Sequence, residues 1–298
     1  MVVVAVAGGG GGIGFDIVQA ILNAKKHEVI VLSRSNQPHL TSQGIGSRIV
    51  DYGSIEQLTE SLRGVHTVIS CISPHGSNST AAELALLEAS KKAGAARFVP
   101  SEWNSDCNDI VHLYSGKIIV WKAVQSSGLE YTRFMNGLWM NVWGPGCIRD
   151  DDEALGAYKG RPPFAIDLKA GTAIIPGDAS QQVVVTKTQD VGRFVAAALD
   201  LAKWEPESRI VGDKLSFTEV AQLAKTICGR DLRITNMSVE NLEEILQGNL
   251  DDGERFYYQL LLGIATGRMD FEPTLNNLCP GIKPVSTSEY LRRHWTSD

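Results

Sequence analysis

The chain has 298 residues, enough for one large domain or two ordinary ones, and 43% of them are apolar, as in a globular protein with a buried core. A net charge of −6 supplies no basic field to draw it to nucleic acid or anionic lipid. Five cysteines, an odd number with no C-x-x-C, exclude a disulfide framework and a zinc knuckle, and predict reduced thiols.

The opening run MVVVAVA lacks a basic segment and ends at glycines, so it predicts no signal peptide but a strand buried on both faces of a parallel sheet. No stretch approaches the roughly 18 apolar residues of a membrane span, and a cytoplasmic location is expected. Glycines follow at 8–12 and at 14, and then residues 13–24 set Ile13, Ile17, Val18, Ala20, Ile21 and Ala24 on one helical stripe. The alternation continues with strands at 28–33, 47–51, 66–73, 97–100 and 131–136, and helices at 54–64, 77–94 and 112–128. Such alternation predicts an α/β fold, a doubly wound parallel sheet of Rossmann type.

After Asn136 the rhythm changes. Residues 138–167 read as a Gly- and Pro-rich loop, with a solvated acidic run at Asp150–Glu153. A strand is predicted at 183–188, a helix at 189–204, a sheet-edge strand at 208–212, and mainly helix from Ser216 onward, apart from RIT at 233–235. The expected division is a nucleotide-binding domain of residues 1–136 plus about 183–213, and a smaller, mainly helical C-terminal substrate lobe of about 137–182 and 214–298.

Strand, glycine turn and helix N-terminus together form a phosphate site, because glycine permits the tight turn and the close approach while the first helical N–H groups face the anion. Two spacings fit, Gly8-x-x-Gly11-x-x-Gly14 and Gly9-x-Gly11-x-x-Gly14. The absence of a following Gly-Lys-Ser/Thr excludes a P-loop. An NAD site would carry a carboxylate about 20 residues further on. Here the second strand ends in Ser33-Arg34-Ser35, and a guanidinium suits the 2′-phosphate of NADPH.

The segments VAVAGGGGGIG, VIVLSRS, HTVISCIS, RFVPSEW, YTRFMNG, IPGDASQQVVVTKTQDVGRFVAAALDL and IVGDKLSFTEVAQLAKTICG resemble the NmrA-like and isoflavone-reductase-like branch of the atypical short-chain dehydrogenase/reductases. The resemblance implies a Rossmann domain with a smaller substrate lobe, NADP(H) as cofactor, and a catalytic lysine early in the helix after strand five, here Lys117. Lys122, five residues on and about 140° round that helix, is the natural control. The usual Tyr-x-x-x-Lys pair is absent. Tyr114, at i−3, shares a helix face with Lys117, and His112 is a second candidate proton carrier. The family's SEFG stretch is altered to Ser101-Glu102-Trp103-Asn104.

Cofactor contacts are therefore expected from Gly8, Gly11, Gly12, Ile13, Gly14, Ser33, Arg34, Cys71, Ser101, Lys117 and Asn136. Trp103, Trp139, Met140, Trp143 and Phe164 are expected to line a pocket for a flat substrate, and no metal site is indicated. The reading is an NADPH-dependent reductase of a small aromatic or polycyclic molecule, of secondary-metabolism type. Two alternatives stay open: an NADP-sensing regulator without turnover, or a redox-neutral isomerase or cyclase. The expected partner is a small molecule, not nucleic acid or membrane; the sequence does not specify the oligomeric state.

Overall fold

A computed structural model of the protein describes residues 1–76, 78–149 and 152–297, so Ser77 and the first two acids of the run, Asp150 and Asp151, lie outside the described residues. The chain forms two compact units. One comprises residues 1–103, 113–135 and 191–208, the other residues 104–112, 136–190 and 209–298.

The first unit is built on β1 (Val3–Ala7), β2 (Glu28–Ser33), β3 (Gly46–Ile49), β4 (Thr67–Ser70), β5 (Arg97–Val99) and β6 (Glu130–Tyr131). They form one parallel sheet in the order β3-β2-β1-β4-β5-β6, the doubly wound topology that the alternation predicts. The connecting helices are α1 (Gly12–Ala24), α2 (Pro38–Thr41), α3 (Ile55–Ser61), α4 (Ser79–Ala93) and α5 (Ser115–Gln125).

Val4 to Ala7 of β1 are fully buried, which is why that strand is apolar without alternation. Ala5 and Ala7 pack with Leu58, Leu86, Phe98 and Val120 in one cluster with α3, α4 and α5. Buried Ile17, Val18 and Ile21 form the apolar stripe of α1, each contributing about 1.5–3 kcal/mol by burial. A Cβ on Gly192 would lie 2.6 Å from the Asp16 carbonyl, so the helix Thr188–Ala198 also runs close against α1. Arg97 donates to the carbonyls of Leu199, Leu201 and Ala202 just past that helix, and pairs with Glu130 at 2.6 Å.

The structure corrects four readings. The strand predicted at 131–136 breaks at Thr132: β6 pairs with β5, while Arg133–Met135 pairs with Glu207–Arg209. Arg133 fixes the change of partner by donating to the Pro206 carbonyl at 2.9 Å and pairing with Glu207. The strand expected at 183–188 is Gln182–Thr186, within the second unit, between Asp213–Ser216 and Leu138–Trp139.

Third, the segment after Asn136 is not all loop. It contributes Leu138–Trp139 and Ile166–Asp167, and just beyond it Thr172–Pro176 pairs in parallel with Arg233–Met237. The second unit therefore adds two three-stranded sheets to its helices, among them Phe217–Cys228, Asp252–Ala265 and Thr287–Trp295. Fourth, the acidic run is not all solvated. Glu153 pairs with buried Lys187 at 2.9 Å and with Arg293 at 2.6 Å. Among the described residues no helix is long and apolar enough to cross a membrane.

Candidate active site

The glycine turn joins β1 to α1, and its members have different jobs. Gly8 has φ +78, and a Cβ there would sit 2.6 Å from the Cys71 carbonyl, so both its conformation and the nearness of β4 demand glycine. A Cβ on Gly14 would lie 2.5 Å from the Gly8 carbonyl; only glycine lets α1 begin this close to the strand. Gly9 is crowded by the side chains of Val31, Val18 and Val6. Gly11 has no atom within 4 Å of its missing Cβ, and neither does Gly12, which has φ +53. The Gly8–Gly11–Gly14 spacing thus combines turn, open approach and tight packing.

Gly11 is the N-cap of α1, with no side-chain cap and no acid in the first turn. The first intrahelical bond runs from Phe15 N–H to the Gly11 carbonyl, so the amides of Gly12, Ile13 and Gly14 precede it and point out of the helix end. An anion-binding helix start requires this arrangement.

Residues from neighbouring strand ends join the same edge of the sheet. At the end of β2, Ser33 is half-buried and its Oγ accepts from the Gln37 amide at 2.9 Å, while Arg34 is exposed. Two residues that sequence reasoning missed flank this point. The His39 ring lies 2.9 Å from the Gly10 carbonyl, and the Tyr52 hydroxyl donates to the Leu32 carbonyl at 3.1 Å. Burial raises the Tyr52 phenol above its ordinary range, so it remains a neutral donor. Cys71, just past β4, is half-buried, and burial followed by the nearby Glu83 carboxyl pushes its thiol up. It is no thiolate nucleophile.

Beyond β5 the backbone of residues 101–103 is tied from several sides. Ser101 Oγ donates to the Ile72 carbonyl at 2.9 Å, and Ser101 N–H donates to Glu83 at 2.6 Å. Lys117 Nζ donates to the carbonyls of Ser101 and Glu102, both at 2.6 Å. The Tyr114 ring centre is 4.7 Å from the same Nζ. Lys117 is buried, whereas Lys122 is exposed, as the helix pattern predicts. Two carbonyls and an aromatic face thus surround the Lys117 Nζ. His112 is exposed and belongs to the second unit, where its N–H donates to Gln259.

Trp103 follows with φ +47, a left-handed conformation that costs a bulky residue about 1–3 kcal/mol. Its indole N–H donates to the Ser70 carbonyl at 2.9 Å and its ring stacks on Phe134 at 5.6 Å. The residue expected to line a substrate pocket is therefore buried within the first unit. In the second unit Met140, Trp143 and Phe164 are likewise buried, Trp143 against Phe217 and Phe164 against Tyr257. Of the five expected pocket residues only Trp139 is partly exposed. Asn136, also in the second unit, is fully buried; its Nδ2 donates to the Gly137 carbonyl and its Oδ1 has no hydrogen-bond partner among the described residues.

The model of the NmrA-like family matches residues 2–262. The chain belongs to the NmrA-like family. Among curated members, Oxidoreductase BOA1 of Botryotinia fuckeliana is 36% identical over 77% of each chain, and Oxidoreductase swnN of Metarhizium robertsii is 24% identical over 99% of this chain and 98% of its own. This NmrA-like protein is an oxidoreductase. Among solved structures, AtPrR2 with NADP+ and (+)pinoresinol superposes with a TM-score of 0.80 at 21% identity, covering 98% of both chains. A ternary complex of leucoanthocyanidin reductase from Vitis vinifera gives 0.78 at 19% identity, again over 98% of both. The NADPH-dependent quinone oxidoreductase QOR2 of Escherichia coli, complexed with NADPH, gives 0.74 at 20%, covering 97% of this chain and 99% of its own. Likeness at this identity shows the shared fold, which agrees with the resemblance carried by the sequence motifs.

Proposed function

We propose that this protein is an NADPH-dependent reductase of a small aromatic or polycyclic molecule, working in secondary metabolism. The observation that carries the cofactor is the open edge at Gly11, set between Gly8 and Gly14, which have no room for a side chain. Amides at the start of α1 would hold the pyrophosphate. Exposed Arg34 would meet the 2′-phosphate, with no carboxylate beside it in Ser33-Arg34-Ser35 to repel that charge. The bound nicotinamide supplies the hydride.

Lys117 Nζ, whose N–H groups donate to the Ser101 and Glu102 carbonyls, would hold the proton for transfer. Held at the end of β5, it would neutralise the oxyanion that develops on the substrate and donate that proton. The Tyr114 ring covers one side of the ammonium and would help exclude water from it. Support for an aromatic substrate comes from the names of similar proteins, AtPrR2 with (+)pinoresinol and eugenol synthase of Petunia hybrida, the latter 23% identical.

The test is NADPH oxidation, followed by absorbance, with a panel of aromatic ketones, quinones and enones. Turnover with any member that Lys117→Ala abolishes supports the reading. Tight cofactor binding with no turnover anywhere would contradict it in favour of a sensor or a redox-neutral enzyme.

A further inference from the structure

Glu83 lies in the second turn of α4, only 6% exposed, and the reductase chemistry above does not use it. Its Oε1 accepts the Ser101 N–H at 2.6 Å. The carbonyl of that same residue accepts from Lys117 Nζ, also at 2.6 Å. One residue is therefore gripped on its N–H by a carboxyl from α4 and on its C=O by an ammonium from α5. Helix α5 begins hard against α4, since a side chain on Gly116 would collide with Thr80. The link from carboxyl to ammonium thus runs through a short, close-packed stretch of backbone.

We propose that Glu83 is the positioning residue for Lys117, fixing the Ser101 peptide that holds the ammonium and carrying the charge that balances it. The consequence for turnover rests on the reductase reading given above; the linkage itself does not. The groups facing Glu83 are Lys117 from α5, Glu102 after β5 and Cys71 after β4. Burial pushes the Glu83 carboxyl up to about 7, opposed by the Ser101 N–H, the Ser70 hydroxyl and Lys117, and reinforced by Glu102. Glu83 therefore changes charge at neutral pH. An ionised Glu83 binds the Ser101 N–H with charge assistance and attracts the Lys117 ammonium; a protonated one does neither.

The experiment uses the full-length protein and two variants. Glu83→Gln keeps an oxygen for the Ser101 N–H and cannot ionise, and Glu83→Asp keeps the charge with a shorter reach. The Ser101 amide and Lys117 Hε resonances are followed by NMR across neutral pH, the latter assigned by Lys117→Arg, together with kcat for whichever acceptor the panel yields. In the natural protein both resonances and kcat should step with one midpoint near 7. Glu83→Gln should lose all three steps, with its rate flat at the acid plateau of the natural protein and the KM for NADPH unchanged. Glu83→Asp should retain a step with a displaced Ser101 resonance.

A Lys117 resonance that steps alike in the natural protein and in Glu83→Gln would overturn the proposal, as would a Glu83→Asp that loses the step. If no acceptor is reduced, the reductase reading fails, and the two resonances still decide the linkage.

Discussion

The missing side chain of Gly14 would lie 2.5 Å from the carbonyl oxygen of Gly8, six residues earlier and across the turn. That contact joins the start of α1 to the end of β1, and it separates two kinds of glycine in one run. Gly14→Ala should lower stability by about 1–3 kcal/mol, because the new methyl must displace backbone. Gly11→Ala, whose methyl meets no atom within 4 Å, should keep the melting temperature and weaken NADPH binding. Paired thermal melts and titrations check this, and an equal loss of stability in both variants would refute the division of roles.

Arg34 sets the choice of cofactor in this account. Charged hydrogen bonds contribute about 1.5–3 kcal/mol, so Arg34→Ala should weaken NADPH by roughly tenfold to a hundredfold and leave NADH nearly unchanged. Equal losses for both cofactors would remove the 2′-phosphate assignment.

Lys117 and Lys122 lie on one helix with opposite exposure, the first buried and the second exposed. Lys117→Ala should reduce kcat by about 10²–10⁴-fold, the usual range for a lost general acid. Lys122→Ala should be silent. Circular dichroism on both variants separates lost chemistry from lost fold.

Stability should fall as pH rises, because of Glu83. The folded carboxyl holds its proton up to about 7, against an ordinary 4.5 for the unfolded chain. Its contribution is fully present below that lower value and is lost as pH climbs through the upper one. The full loss is about 3 kcal/mol by linkage. Glu83→Gln should flatten this slope and be more stable than the natural protein in mild alkali. Denaturant unfolding at several pH values reads it directly.

Much of this was legible in the chain because the signals are local. The glycine run, the apolar stripe of α1 and the buried strands repeat within short windows, and they predict both the sheet and its phosphate-binding turn. Lys117 came from the family resemblance, and its burial agrees with the helix pattern.

What was missed depends on distant partners. Glu83 sits among alanines and leucines on α4 and reads as an ordinary helical acid; its partner Ser101 is 18 residues away. Trp103 reads as a pocket wall until its indole N–H is seen on the Ser70 carbonyl. The change of partner at Thr132 leaves strand composition untouched, because β-branched and aromatic residues suit either sheet. Strands of two residues, such as Leu138–Trp139, are too short for any period to register.

Calorimetric titration of the purified protein with NADPH and NADH is the decisive measurement for the proposed NADPH cradle between β1 and α1. Saturable binding of one NADPH per chain is expected, clearly tighter than NADH and weakened in Gly11→Ala. No binding of either cofactor, or binding of both that Gly11→Ala leaves unchanged, would contradict it.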